Sequence, residues 1–311
     1  MCGVCDKLSH GGFCKMEKKK QMTGHVTAFF TSFVWGTTFI CTKILLRRFT
    51  PIEILVIRFV LGYLALWAAH PHSLKFTSWK EEKFYLLAGL TGITMYYLME
   101  NIALTMTQAS NVGVVVAVAP FFTAICGMVF LHERKPVWTF YLGFVISMAG
   151  ICLLSFAGGE NVQIHPAGDA LAMLAAAVWA VYSTVIKKIG EFGYPTIQTT
   201  RRAFFYGIVL MIPCVAGMGF DVSAADFMDK TILLNFGFLS FIACALCFVT
   251  WNFAVKRLGP VKTSVYIYLS PVITTICSAL VLHEIITIRS LCGIVLVLMG
   301  LVLSEFRRKQ E

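Results

Sequence analysis

Glu100 stands alone between two uncharged stretches, Phe84 to Met99 and Asn101 to Leu131. An ionised carboxylate is costly in so apolar a run unless it has a task or a partner. It can carry a proton or receive the ammonium group of a small solute. The plainer reading is a carboxylate near a helix end that reaches water or an arginine. Tyr96 and Tyr97 lie one turn before it and Asn101 directly after it. A second set combines cations and carboxylates at the margins of apolar runs. Lys43, Arg58 and Glu284 fall toward one side of the arrangement deduced below, and Lys187, Arg202 and Glu133 toward the other. Two cations and one carboxylate on each side can form alternating salt-bridge gates, or can simply anchor helix ends by snorkelling. Aromatic residues form a third set: Trp35, Tyr96, Tyr97, Trp179, Tyr182, Trp251, Tyr266 and Tyr268. Their faces can line a cavity and hold an apolar ring or an amine. The competing reading is an interface belt, which the mid-run positions of Trp35 and Trp179 argue against. Tyr266 and Tyr268 are two apart, so at most one of them faces such a cavity. Pro120 and Pro271 lie inside apolar runs and can serve as hinges or as static kinks.

Other chemistry is weakly supported. Cys2, Cys5, His10 and Cys14 have a ligand-like spacing, but a zinc knuckle has four residues before its last cysteine and this run has three. A start at Met16 or Met22 would remove the cluster, so no metal site is expected. Cys244 and Cys247 sit in an apolar run where a thiolate is disfavoured, which argues against redox use. His283-Glu284 and His132-Glu133 lack the second histidine of a zincin, no Gly-x-Ser-x-Gly occurs, and there is no Walker motif. An enzyme, a cofactor protein and an ATP-driven pump are therefore not expected.

The elements that position these residues follow from composition. The 311 residues are 58% hydrophobic and only 14% charged, with a mean hydropathy of +0.78. A soluble domain carries about a quarter charged residues. The chain is too apolar for disorder and lacks the surface to dissolve, so it belongs in a membrane. Its net charge of +10 then marks loop lysines and arginines rather than a nucleic-acid surface. Charge-free runs predict ten spans, starting near Gln21, Phe59, Phe84, Ser110, Pro136, Ala170, Ala203, Thr231, Thr263 and Ser290. The spans are helical, because barrel strands would show short alternation instead. With the N-terminus inside, 20 of the 26 Lys and Arg fall in cytoplasmic segments, whereas outer loops hold Arg47, Arg48, Lys230 and Arg289. Both termini are expected in the cytoplasm.

The chain also repeats itself. At an offset of 144, Trp35 falls on Trp179, Lys43 on Lys187, Pro51 on Pro195 and Arg58 on Arg202. At 151, Asn101 falls on Asn252, Pro120 on Pro271 and Glu133 on Glu284. One residue less aligns Gly143 and Gly150 with Gly293 and Gly300. Each half holds five spans. An odd number forces the second half to enter the membrane inverted, the architecture of many secondary transporters. Small residues, Gly113 with Ala117 and Ala172 with Ala176 and Ala180, suit close helix packing.

At this point the residues resemble a known family. Trp35-Gly36-Thr37-Thr38-Phe39, Asn101-Ile102-Ala103-Leu104 and the block from Pro120 to Leu131-His132-Glu133 recur as Trp179-Ala180-Val181-Tyr182, Asn252-Phe253-Ala254-Val255-Lys256 and Pro271 to Leu282-His283-Glu284. Their order and duplication resemble the EamA type of the drug/metabolite transporter superfamily, from about Gly24 to Arg308. The resemblance implies an all-α integral membrane fold of ten transmembrane helices in two inverted five-helix repeats, 23–157 and 167–306. A cytoplasmic tail (1–22), a linker loop (158–166) and a C-terminal tail (307–311) complete the chain. It further implies a central cavity and movement of a small organic metabolite (amino acid, nucleoside or drug-like solute) across the cell membrane by alternating access, with export the common direction. Glu100, Asn101, Trp35, Trp179, Tyr182, Trp251, Asn252 and Tyr266 are the candidates for the cavity or its coupling, with proton coupling among their roles. No cofactor or nucleic acid is expected. A channel, or a non-transport protein on the same duplicated bundle, is the alternative.

Overall fold

The computed structural model describes residues 4–107, 109–157, 165–282 and 287–305, and side chains over 21–107, 112–154, 165–277 and 287–304. Among these residues the backbone is helical with short connections. The helices group into ten spans. Spans 1 and 2 are Val4–Leu45 and Pro51–Ala69; span 3 runs Trp79–Ala88, Gly89–Met95 and Tyr96–Met106 without interruption. Span 4 is Ala109–Val116 followed by Ala119–Phe130, span 5 Trp138–Ala157, span 6 Pro166–Glu191 and span 7 Thr196–Met218. Span 8 joins Lys230–Gly237, Phe238–Leu246 and Cys247–Leu258; span 9 joins Pro260–Ser264, Val265–Tyr268 and Leu269–Leu282; span 10 is Ile288–Glu305. We call the side holding the start of span 1 and the end of span 10 the tail face.

Helix boundaries do not coincide with the ends of the apolar runs. Thr50 accepts from the Glu53 amide at 3.4 Å while Glu53 accepts from the Thr50 amide at 2.7 Å, a capping box that starts span 2 at Pro51. Arg58 therefore lies in mid-helix, not at a span end as its charge implied. Span 3 likewise begins five residues before Phe84 and carries Glu82 into the protein, 3% exposed. Span 8 ends at Gly259, whose φ of 88° closes the helix before Pro260 opens the next. The helix of span 1 reaches back through most of the segment expected to be a tail.

The two halves share unusual backbone. Gly89–Met95 in span 3 and Phe238–Leu246 in span 8 are both π-helical, and the 151-residue offset superposes them. Each widened turn meets a glycine on a crossing helix: a Cβ at Gly207 would lie 3.3 Å from the Gly89 carbonyl, and one at Gly62 3.1 Å from the Ser240 carbonyl. Spans 5 and 10, the last of each half, pack along one another. Their seam pairs Gly143 with Gly300 and Gly150 with Gly293, so closely that a Cβ at Gly143 would sit 2.5 Å from the Gly300 carbonyl. The four glycines that align between the halves thus form one contact across the pseudo-twofold axis. Span 6 runs through the middle of the bundle against spans 3, 4 and 8, and its Ala172, Ala176 and Ala180 are fully buried, as their spacing implied. Gly113 differs from its expected packing role, because a Cβ there would meet nothing within 4 Å.

Candidate functional site

Trp35 and Trp179, the first pair matched by the repeat, meet at the centre with ring centroids 5.3 Å apart. Trp251 lies 5.0 Å from Trp35 and 5.8 Å from Trp179, and Tyr96 stands 4.7 Å from Trp179. The indole of Trp35 donates to the Ala243 carbonyl at 3.0 Å, inside the π-helical turn of span 8. Its repeat partner makes no such bond: the Trp179 Nε1 is buried without an acceptor, as is that of Trp251. The symmetry of the backbone is thus broken in the hydrogen bonding.

A cavity of about 40 Å3 opens beside these rings, faced by Trp35, Thr38, Phe39, Tyr96, Tyr97, Glu100, Gly113, Val116, Trp179, Ile267 and Ser270. Glu100 is 6% exposed, receives a side-chain hydrogen bond from Tyr96, and its Oε2 is buried with no partner. An unpaired carboxylate oxygen in such surroundings is expensive, which makes it a place for a proton or a cation to bind. Arg58 is 2% exposed nearby, so the structure corrects its expected place at an interface. Its guanidinium lies over the Tyr97 ring at 4.4 Å and donates from Nε to the Cys244 sulfur at 3.0 Å. One buried cation and one buried carboxylate therefore flank Tyr97.

The structure separates the remaining candidates. Tyr182 donates to Asn252 at 2.8 Å, and Asn252 donates to Thr200 at 2.9 Å, so both tie span 6 to spans 7 and 8 behind the Trp179 ring. Trp251 is fully buried behind the same rings. Asn101 donates to the Pro51 carbonyl at 3.2 Å and closes the start of span 2. Tyr266 pairs with His25 at 2.8 Å, because the tight 3-10 turn at Val265–Tyr268 aims Ile267 and not Tyr266 at the cavity. These five residues support the cavity walls and do not face it. Pro120 and Pro271 each follow a break in their span, at Ala117-Val118 and at the 3-10 turn, and the cavity touches both breaks through Val116 and Ile267.

The expected gates take other partners. Arg202 pairs with Glu82 at 2.7 Å, in place of the expected Glu133, and Tyr206 also bonds this carboxylate. Lys43 caps the end of span 3 through the Leu104 carbonyl at 2.7 Å. Lys187 is half-buried. Glu133 folds back on the end of span 4, with its amide on the Gly127 carbonyl at 3.1 Å. Glu284 and the side chains of Cys2, Cys5, His10 and Cys14 lie outside the described residues.

Sequence reading missed Thr38, Phe39, Val116, Ile267 and Ser270. Thr38 and Phe39 had a signal, since they share a helix face with Trp35 at spacings of three and four. Glu82 and Arg201 carry no such signal, because they sit in charge-rich stretches that read as loops.

Comparison with known proteins decides the identity of this bundle. The EamA-like transporter family matches residues 22–156 and 166–306, one match per half. The chain belongs to the EamA-like transporter family. An uncharacterized transporter of Archaeoglobus fulgidus is 26% identical over 295 residues, covering 92% of this chain and 98% of its own. A probable terminal-alkyne amino-acid exporter of Streptantibioticus cattleyicolor is 25% identical over 280 residues, covering 89% and 91%. A crystal structure with 18% identity shares the fold at a TM-score of 0.73 over 91% of this chain and 96% of that one. This EamA protein is thus an all-α, multi-pass membrane protein with ten helices in two repeats.

Proposed function

We propose that this EamA protein is a secondary transporter that moves a small zwitterionic solute of the amino-acid class by alternating access, with the Glu100 cavity as its binding site. The observation that carries the reading is the unpartnered Glu100 oxygen, buried in a cavity walled by Trp35, Tyr96, Tyr97 and Trp179. An ammonium group would gain a charge-assisted hydrogen bond from Glu100 and cation–π contact from the rings. Arg58, across Tyr97, is the complementary charge for a carboxylate once the rings part. The name of the Streptantibioticus relative, an amino-acid exporter, agrees with this class.

The present cavity of about 40 Å3 holds a water molecule or two and no metabolite. Loading therefore requires one half to rock against the other, and the breaks before Pro120 and Pro271 are placed to permit it. Because Glu100 can hold a proton or an ammonium but not both at once, solute and proton would compete and so be coupled. In this reading the protein works in the cell membrane with both termini cytoplasmic, which the distribution of lysine and arginine supports, and it exports its solute, in keeping with the name of the Streptantibioticus relative.

Counterflow in proteoliposomes tests this. Vesicles loaded with an unlabelled amino-acid mixture should transiently concentrate labelled amino acid, saturably, and loading with the corresponding amines lacking a carboxylate should drive less. Leak without counterflow would indicate a pore and end the carrier reading.

A further inference from the structure

A second pocket, of about 200 Å3, lies on the tail face between spans 2 and 7 and is lined in part by Tyr63, Ser73, Gln198, Arg201, Arg202 and Phe205. It is five times the volume of the central cavity and plays no part in the transport reading.

Two arginines, consecutive in the sequence, line it. Arg201 is 4% exposed and donates to the His70 carbonyl, to the His72 carbonyl at 2.7 Å and to the Ser73 hydroxyl at 3.1 Å. Arg202 donates to Glu82 at 2.7 Å and to the Leu74 carbonyl at 2.6 Å. A guanidinium has five N–H donors, so these bonds leave both arginines with donors to spare. Glu82 neutralises one of the two cations, and the exposed Lys75 and Lys80 on the adjoining segment add more positive charge. The pocket is therefore built for an anion that accepts several hydrogen bonds at once, which is the chemistry of a phosphate group.

The rim indicates where that phosphate comes from. Trp67, Phe76 and Trp79 are 51%, 55% and 75% exposed on the segments around the pocket, and exposed aromatics of this kind mark the headgroup level of a bilayer. Phe205, on the pocket wall, is followed at spacings of four and three by Val209 and Ile212, all strongly exposed on one face of span 7. That apolar track leads from the pocket toward the membrane interior. A soluble anion would use only the pocket, whereas a phospholipid would fill pocket and track together.

We propose that this pocket binds the phosphate of an anionic phospholipid, held by Arg201, Arg202 and Gln198, with an acyl chain lying along Phe205, Val209 and Ile212.

Arg201 also fastens the segment after span 2, so its removal would test folding as much as binding. Gln198 offers a cleaner variant. Full-length protein in mixed phosphatidylglycerol and phosphatidylcholine bicelles, analysed by native mass spectrometry, should retain phosphatidylglycerol about thirtyfold over phosphatidylcholine, from two unneutralised cations at the membrane surface, the arginine that Glu82 leaves unpaired and a neighbouring lysine. Gln198→Glu, which adds a repelling carboxylate, should bring that ratio down to about fivefold or less. Both lipids are read on the same folded molecules, so partial unfolding does not mimic the effect. Equal retention of the two lipids, or an unchanged ratio in Gln198→Glu, would overturn the proposal. Displacement of phosphatidylglycerol by millimolar inorganic phosphate would also overturn it, by assigning the pocket to the free anion.

Discussion

Glu100 and Gly113 face the same cavity and invite opposite tests. Glu100→Gln keeps the shape and removes the charge. A hydrogen bond to a charged group contributes about 1.5–3 kcal/mol, so affinity for an amine-bearing solute should fall on the order of tenfold to a hundredfold, measured as the half-saturation of exchange in proteoliposomes. Uptake driven by a pH gradient should vanish as well, because glutamine cannot carry the proton. Loss of gradient-driven uptake with exchange intact would make Glu100 a proton site alone. Transport unchanged in both modes would remove it from the mechanism. Gly113→Ala adds a methyl group that meets nothing within 4 Å. Its thermal midpoint in detergent should match the wild type, while counterflow of larger amino acids should slow because the methyl occupies the solute's space. Arg58 shows why this scale was only partly legible. Its residue type announced a charge, but what buries it is a sulfur and a ring, Cys244 from the second half and Tyr97 from span 3, which no local spacing brings together.

At the scale of elements, the seam between spans 5 and 10 has no room to spare. In lipid there is little hydrophobic drive between helices, so close packing of small residues has to hold them together. A Cβ at Gly300 would lie 2.5 Å from the Gly143 carbonyl, and one at Gly150 2.7 Å from the Gly293 carbonyl. Gly300→Ala should therefore destabilise by about 1–3 kcal/mol, the usual cost of overpacking, seen as a lowered thermal midpoint in detergent. A midpoint equal to that of Gly113→Ala would show that the seam yields easily. The matched glycines were legible in the sequence as a repeat, but not as partners in one contact. Periodicity says which residues correspond and not which of them touch. The π-helical turns of spans 3 and 8 were invisible for a similar reason. Their extra residue per turn is held by close approach to Gly207 and Gly62, contacts made by other parts of the chain.

For the whole molecule, the distribution of lysine and arginine predicts orientation. Reporter fusions after Glu160 should read outside, and fusions after Lys188 or at the C-terminus should read inside. An outside C-terminus would contradict an even number of spans with both ends in the cytoplasm.

The ten helices, the two halves and their inversion were determined by the sequence alone, because hydropathy, loop charge and an internal repeat are properties of the chain that need no contacts to be read. The same signals single out Trp35, Trp179, Tyr96, Tyr97 and Glu100, which face the cavity, and equally Asn101, Tyr182, Trp251, Asn252 and Tyr266, which stand behind its walls, so the choice between the two groups belongs to packing. Helix boundaries and ion-pair partners were decided by tertiary structure. Charges were read as the ends of spans, yet Arg58, Glu82 and Arg201 lie within helices or their first turns and are buried because distant parts of the chain supply a sulfur, a guanidinium or a loop carbonyl to meet them. The free energy of burying a charge depends on that partner, and the partner is fixed only when distant spans pack.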